Sequence, residues 1–177
     1  MKTLIILDNL FGDDELTLLN KKDLKYEPSL FDGVIDTEVR NSYQCNVKDK
    51  TVSDLIYCKV KDKVEITHIN PCLRYIMYLP KGFMRLHYDE NIKCDECYST
   101  YTIMIYLNDA DSDTIFIDDD FKEHHISAKK GRLVLFNQDI EHKTETLTYN
   151  CFARAMPPLP NESVRVWSSC CESIVSY

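Results

Sequence analysis

The sequence predicts a mainly β domain with flanking helices (α+β), folded as a double-sheet jelly roll of cupin type, a double-stranded β-helix. Three observations predict it. Short apolar segments recur from about residue 72 onward, each bounded by turn residues, as in a sandwich or barrel. One of them, Tyr101 to Leu107, is apolar on both faces, which suits a central strand. Helical spacing is confined to the first third of the chain, so the helices pack against one sheet.

The elements follow in order. Thr3 to Leu7 reads as a strand. The apolar start resembles a secretory leader, but Asp8 and Asn9 end it too early and no small-residue cleavage site follows. Asp13-Asp14-Glu15 opens a short helix through Leu16, Leu18 and Leu19, with acidic groups where a helix N-terminus favours them. Asp32-Gly33 is a turn. Thr51-x-x-Asp54 reads as a capping box, with Val52, Leu55, Ile56 and Val60 behind it at helical spacing. Strands are then expected at Leu73 to Leu79 and Phe83 to Asp89, around the turn Pro80-Lys81-Gly82. A polar loop, Asn91 to Ser99, precedes the core strand 101–107. Thr114 to Ile117 alternates and runs into Asp118-Asp119-Asp120, a solvated turn. Lys129-Lys130-Gly131 turns into Arg132 to Phe136, and segments 142–148 and 150–155 form a last pair of strands. The expected organisation is one domain over residues 1–155, with a helical N-terminal part (1–70) and a jelly-roll core (71–155). A proline-marked tail, 156–177, is expected to add an edge strand through Val164, Val166 and Trp167.

The chain has 177 residues, enough for one domain with a real core. Its net charge of −8 disfavours a broad phosphate-binding surface, because nucleic-acid affinity rests on cationic neutralisation. No nucleic-acid partner is expected, and no membrane partner either, since no apolar run is long enough to span a bilayer. Eight cysteines show no framework spacing, so a reduced, cytoplasmic setting is expected. Cys94-Asp95-Glu96-Cys97 is a lone CxxC. Without a second pair it reads as a loop with incidental thiols.

The densest chemistry lies in Arg85-Leu86-His87-Tyr88-Asp89. Residues i and i+2 of a strand share a face, so His87 and Asp89 converge. His142, downstream, completes a trio. Two histidines and one carboxylate hold one side of a metal and leave the other open, the pattern of non-haem Fe(II) oxygenases. His68, His124 and His125 lie in polar surroundings and need only local hydrogen bonds.

Tyr75 to Asp89, with its arginine-tyrosine strand, glycine turn and H-x-D, resembles the metal-binding segment of the prolyl 4-hydroxylase branch of Fe(II)/2-oxoglutarate dioxygenases. Tyr101 to Asn108 resembles that family's core strand, Gly131 to Phe136 the strand before its distal histidine, and His142 falls where that histidine belongs. Leu7 to Phe11 and Arg40-Asn41-Ser42 echo its N-terminal region. The resemblance spans roughly residues 3–155. In place of the family's Gly-Gly-x-Thr segment stands Ala110-Asp111-Ser112-Asp113-Thr114.

The resemblance implies a 2-oxoglutarate-dependent dioxygenase that hydroxylates a prolyl residue in a peptide or protein and converts 2-oxoglutarate to succinate. It implies Fe(II) on His87, Asp89 and His142, with 2-oxoglutarate and O₂ as cosubstrates and ascorbate as a further cofactor. It gives Arg154, whose planar fork suits a carboxylate, and Tyr106 and Tyr78 to the cosubstrate pocket. Arg132 and Lys143 are weaker candidates for the cation. The presence of Asp89, where a small residue would open a halide site, favours hydroxylation over halogenation. Two alternatives stand beside this reading: the same chemistry on another side chain or a small molecule, and a catalytically silent binding module. The nucleic-acid demethylase branch is disfavoured by the acidity and by Pro160, where that branch repeats an arginine.

Overall fold

The computed structural model describes residues 2–21, 23–94, 97–147 and 163–172. In chain order the elements are β1 (Leu4–Leu7), α1 (Asp13–Leu19), β2 (Glu27–Pro28), β3 (Arg40–Asn41), β4 (Tyr43–Lys48), α2 (Lys50–Val60), β5 (Ile66–Ile69), β6 (Cys72–Tyr78) and β7 (Phe83–His87). They continue with β8 (Lys93–Cys94), β9 (Cys97–Tyr98), β10 (Tyr101–Tyr106), β11 (Asp113–Ile117), β12 (Glu123–Ser127), β13 (Leu133–Asn137), β14 (Glu141–Thr144) and β15 (Ser163–Glu172).

Two antiparallel sheets face each other, as the jelly-roll reading expects. The larger runs β1-β13-β10-β15-β6-β4-β2, with β5 also paired to β15. The smaller runs β12-β11-β14-β7-β3. Side-chain alternation explains the layering. On β10, Tyr101, Ile103 and Ile105 join Leu133 and Leu135 of β13 to face Phe11, Leu19, Val52, Ile56 and Val60 on the helix side. Met104, Tyr106, Val134 and Phe136, on the opposite face of the same strands, meet Phe116 and Ile126 of the smaller sheet. Every residue of β10 is therefore buried. Each fully buried large aliphatic of this kind contributes about 2 kcal/mol.

The N-terminal 70 residues carry both expected helices and more strand than expected. Beside α1 and α2, β1 to β5 are woven into both sheets. The cap of α2 also differs: Asp49, not Thr51, accepts from the Val52 amide at 3.0 Å. Thr51 lies inside the helix, and Asp54 pairs with Lys50 at 2.7 Å. A carboxylate directly before the first turn satisfies an orphan amide from two residues further out.

The tail strand is not at an edge. β15 runs between β10 and β6, pairing Met104 with Trp167 and Tyr75 with Val166. The expected strand at 150–155 lies outside the described residues. His124 and His125, read as lying in a polar stretch, belong to β12, an edge strand with one solvated face. The expected polar loop 91–99 carries the short β8–β9 hairpin, in which Cys94 and Cys97 are backbone partners.

The β6–β7 turn fixes where the strand carrying His87 begins. Lys81 adopts a left-handed conformation (φ 67°). A Cβ on Gly82 would lie 2.7 Å from the Leu79 carbonyl oxygen and 2.9 Å from that of Asn41. Only glycine fits there. No helix among the described residues is long and apolar enough to cross a membrane.

Candidate metal centre

His87 ends β7, Asp89 follows it, and His142 sits on the neighbouring β14. His87 and His142 are register partners across the antiparallel pair, which brings their ring centroids to 4.2 Å. Asp89 is drawn in from the strand end by its amide, which donates to the Gln138 carbonyl at 3.1 Å. Nε2 of His87 and Nε2 of His142 each lie 3.8 Å from Asp89 Oδ1. The three donor atoms fall within 4.8 Å of one another. An ion about 2 Å from each ligand fits between groups so spaced.

The rings are aimed by the backbone. His87 Nδ1–H donates to the Arg85 carbonyl at 2.9 Å, and His142 Nδ1–H donates to the Ile140 carbonyl at 3.0 Å. A carbonyl only accepts, so the proton sits on Nδ1 and the lone pair on Nε2 points inward. Such outer bonds fix tautomer and orientation in metal sites. Burial, and then the neighbouring His142, push the His87 imidazole down to about 4. The ring is therefore neutral near neutral pH, the form in which an imidazole can serve as a ligand.

The remaining support was not foreseen from sequence. Thr102 Oγ1 donates to Asp89 Oδ2 at 2.6 Å, which turns Oδ1 toward the histidines. Thr102 is the one residue of the apolar strand Tyr101–Tyr106 that brings an aliphatic hydroxyl, and that oddity was the available signal. Phe116 stacks on the His142 ring at 5.4 Å, and Phe136 meets it edge-on at 4.8 Å. Ser99 Oγ donates to Gln138 Oε1 at 2.9 Å and steadies the residue whose carbonyl holds Asp89.

The expected cosubstrate residues divide. Tyr106 is fully buried on the same inner face, its hydroxyl donating to Thr114 Oγ1 at 2.7 Å. Tyr78 is buried between the sheets beside Met84. Arg154 lies outside the described residues. Arg132 is committed to Asp8 at 2.8 Å and Lys143 to Glu123 at 3.0 Å, so neither serves the centre. The other histidines behave as expected: His68 contacts Thr67, His124 contacts Asp118 at 2.7 Å, and His125 faces Asp113 and Glu123. His125 does form a further group of possible ligands with Asp113 and Glu145, on the outer side of the smaller sheet.

No family model and no curated protein sequence matches the chain. Solved structures do. A prolyl-4-hydroxylase of Pseudomonas putida is similar at TM-score 0.71 and 12% identity, over 97% of this chain and 94% of that one. A prolyl hydroxylase of Trichoplax adhaerens, in complex with a peptide fragment of the hypoxia inducible factor oxygen degradation domain, is similar at 0.68 and 12%, over 96% and 83%. HygX of Streptomyces hygroscopicus, bound to nickel, 2-oxoglutarate and hygromycin B, is similar at 0.62 and 9%, over 98% and 84%. The architecture is thus that of the Fe(II)/2-oxoglutarate oxygenases. Prolyl 4-hydroxylases are among the structures that share it across nearly the whole chain.

Proposed function

We propose that this protein is an Fe(II)/2-oxoglutarate-dependent dioxygenase that hydroxylates a prolyl residue in a peptide or protein. One observation carries the reading: two imidazoles with backbone-locked Nδ1–H groups and one carboxylate oxygen converge on a single point. Three ligands of this type on one side leave positions open for a keto acid and O₂. When bound, Fe(II) with 2-oxoglutarate and O₂ supplies the oxidising power, yielding succinate and CO₂ and placing one oxygen atom on the substrate.

The chain's own residues do the rest. His87 and His142 would hold the ion through Nε2 and Asp89 through Oδ1, while Thr102 occupies Oδ2. Phe116 and Phe136 wall off the His142 side from water. Tyr106 and Arg154 are assigned to the keto acid, and Tyr78 to the pocket wall. The prolyl hydroxylases among the fold's relatives, one of them holding a peptide, support the substrate. A second reading, the same chemistry on a small molecule, draws support from the shared fold of HygX with its hygromycin B.

Anaerobic addition of Fe(II) and 2-oxoglutarate should produce a metal-to-keto-acid absorption band. In air, succinate should accumulate, and His87→Ala should abolish it. A gain of one oxygen on proline within a peptide library identifies the substrate class. Succinate release that hydroxylates only non-peptide acceptors would favour the second reading, and a silent titration would remove the first.

A further inference from the structure

We propose that Arg40 receives a carboxylate carried by the substrate, so that the preferred substrate is an acidic peptide. The inference rests on the oxygenase reading and adds the substrate's charge to it.

Arg40 sits on β3, hydrogen-bonded to the metal-binding strand: it is the register partner of Met84, and the Arg85 amide donates to the Val39 carbonyl at 2.9 Å. Its side chain is nine-tenths buried, at 9% exposure. Nε–H donates to Ser42 Oγ at 2.7 Å, and Ser42 Oγ donates to Ser29 Oγ at 2.9 Å. Both serines are buried. The guanidinium is therefore braced through Nε, and its outer fork of two Nη groups remains for a ligand. Among the described residues no carboxylate forms an ion pair with it.

A buried cation in that condition is costly, since desolvation is not repaid by a counter-charge. Two charges reach Arg40: Arg74, which is also cationic, and Asp89. Asp89 is a metal ligand, and a divalent ion would consume its charge. A loaded centre thus leaves Arg40 more in need of an anion. Arg40 is the register partner of Met84 on the strand that carries His87, so an anion on Arg40 lies along the strand next to that ligand.

Sheet order separates this anion from the keto acid. The smaller sheet runs β12-β11-β14-β7-β3. Tyr106 and Thr114 lie on the β11 side of the two metal strands, and Arg40 lies on the β3 side. The two flanks take different ligands: cosubstrate toward β11, substrate toward β3. Arginine's planar fork matches a carboxylate with two parallel bonds.

The test uses zinc-loaded protein, which binds without turnover, and calorimetry. The probes are 2-oxoglutarate, then capped proline-centred peptides with Asp or Asn at each flanking position in turn. In wild type, Asp at one position should bind about tenfold tighter than Asn, the value of a charged hydrogen bond. Arg40→Met should erase that preference and leave 2-oxoglutarate affinity unchanged. Arg40→Lys, which keeps the charge, should retain part of the preference and guards against a merely unfolded variant. Equal binding of every Asp and Asn pair in wild type overturns the proposal. So does a loss of 2-oxoglutarate affinity in Arg40→Met, which would give the carboxylate to the keto acid. Failure of wild type to bind 2-oxoglutarate at all overturns the oxygenase reading itself.

Discussion

The smaller sheet carries three potential metal ligands on each of its faces, and the two sets differ in everything except spacing. Inside are His87, Asp89 and His142; outside are Asp113, His125 and Glu145, also within 4.8 Å of one another. His142 is buried and His87 mostly so, and each ring is locked by a carbonyl on Nδ1. The outer ring is half exposed, at 49%, and both its nitrogens face carboxylates, Asp113 at 3.5 Å and Glu123 at 3.4 Å. Glu123 is itself shared with Lys143. The outer group is a charge network that satisfies itself and water. The inner group is aimed by its surroundings. Ligand count does not make a metal centre; the groups behind the ligands do.

The largest effect should come from the inner ligands. His142→Ala should abolish divalent-metal binding measured by calorimetry, because two donors remain and the ring that fills the space under Phe116 is lost. Retained affinity would mean that the outer group, or another, holds the ion. Next comes the support. Thr102→Val keeps the shape but frees Asp89 Oδ2, and should weaken metal binding 10- to 100-fold with little change in the thermal midpoint of the metal-free protein. Phe116→Ala should act on both, since it opens a cavity between the sheets and costs about 3–5 kcal/mol in denaturant titration. If Thr102→Val binds metal as wild type does, the contrast between the faces reduces to burial alone.

Acid separates the faces further. The metal-free fold holds His87 near 4, while an unfolded histidine titrates near 6.5. Between those values the unfolded chain takes up a proton that the folded chain refuses. Stability should therefore fall as pH drops from 6.5 toward 4 and level off below, by an amount of order 3 kcal/mol. Urea midpoints across that range give the slope. His87→Gln should flatten it. An unchanged slope in that variant would assign the acid sensitivity elsewhere.

What could be read from the sequence follows the same division. His87, Asp89 and His142 were legible because strand alternation dictates which residues share a face, and the family's order of motifs supplied the partner. The burial of β10 was legible from an unbroken apolar run. The support was not, because Thr102 and Phe116 touch the centre only once β10 is laid over it and β11 beside it. Arg40 was visible only as part of an Arg-Asn-Ser echo; its burial depends on β3 joining β7. The interior position of β15 could not be read from a tail that carries Pro157, Pro158 and Pro160. Prolines mark a break in local structure and say nothing of where the next strand docks. The cap of α2 was misplaced by two residues because Thr51 and Asp49 both satisfy the local pattern, and the geometry of the first turn decides.

The smallest effect should come from the outer face, and it is the sharpest check on the comparison. His125→Ala removes a half-exposed ring from an exposed network, where individual pairs are worth about 0–1 kcal/mol. Stability should change by less than about 0.5 kcal/mol, and the metal stoichiometry of the wild type should be kept. A His125→Ala protein that loses one equivalent of tightly bound zinc while retaining the other would show that an exposed trio, without locked rings or buried neighbours, suffices to hold an ion. The distinction between the two faces would then rest on reactivity and not on binding.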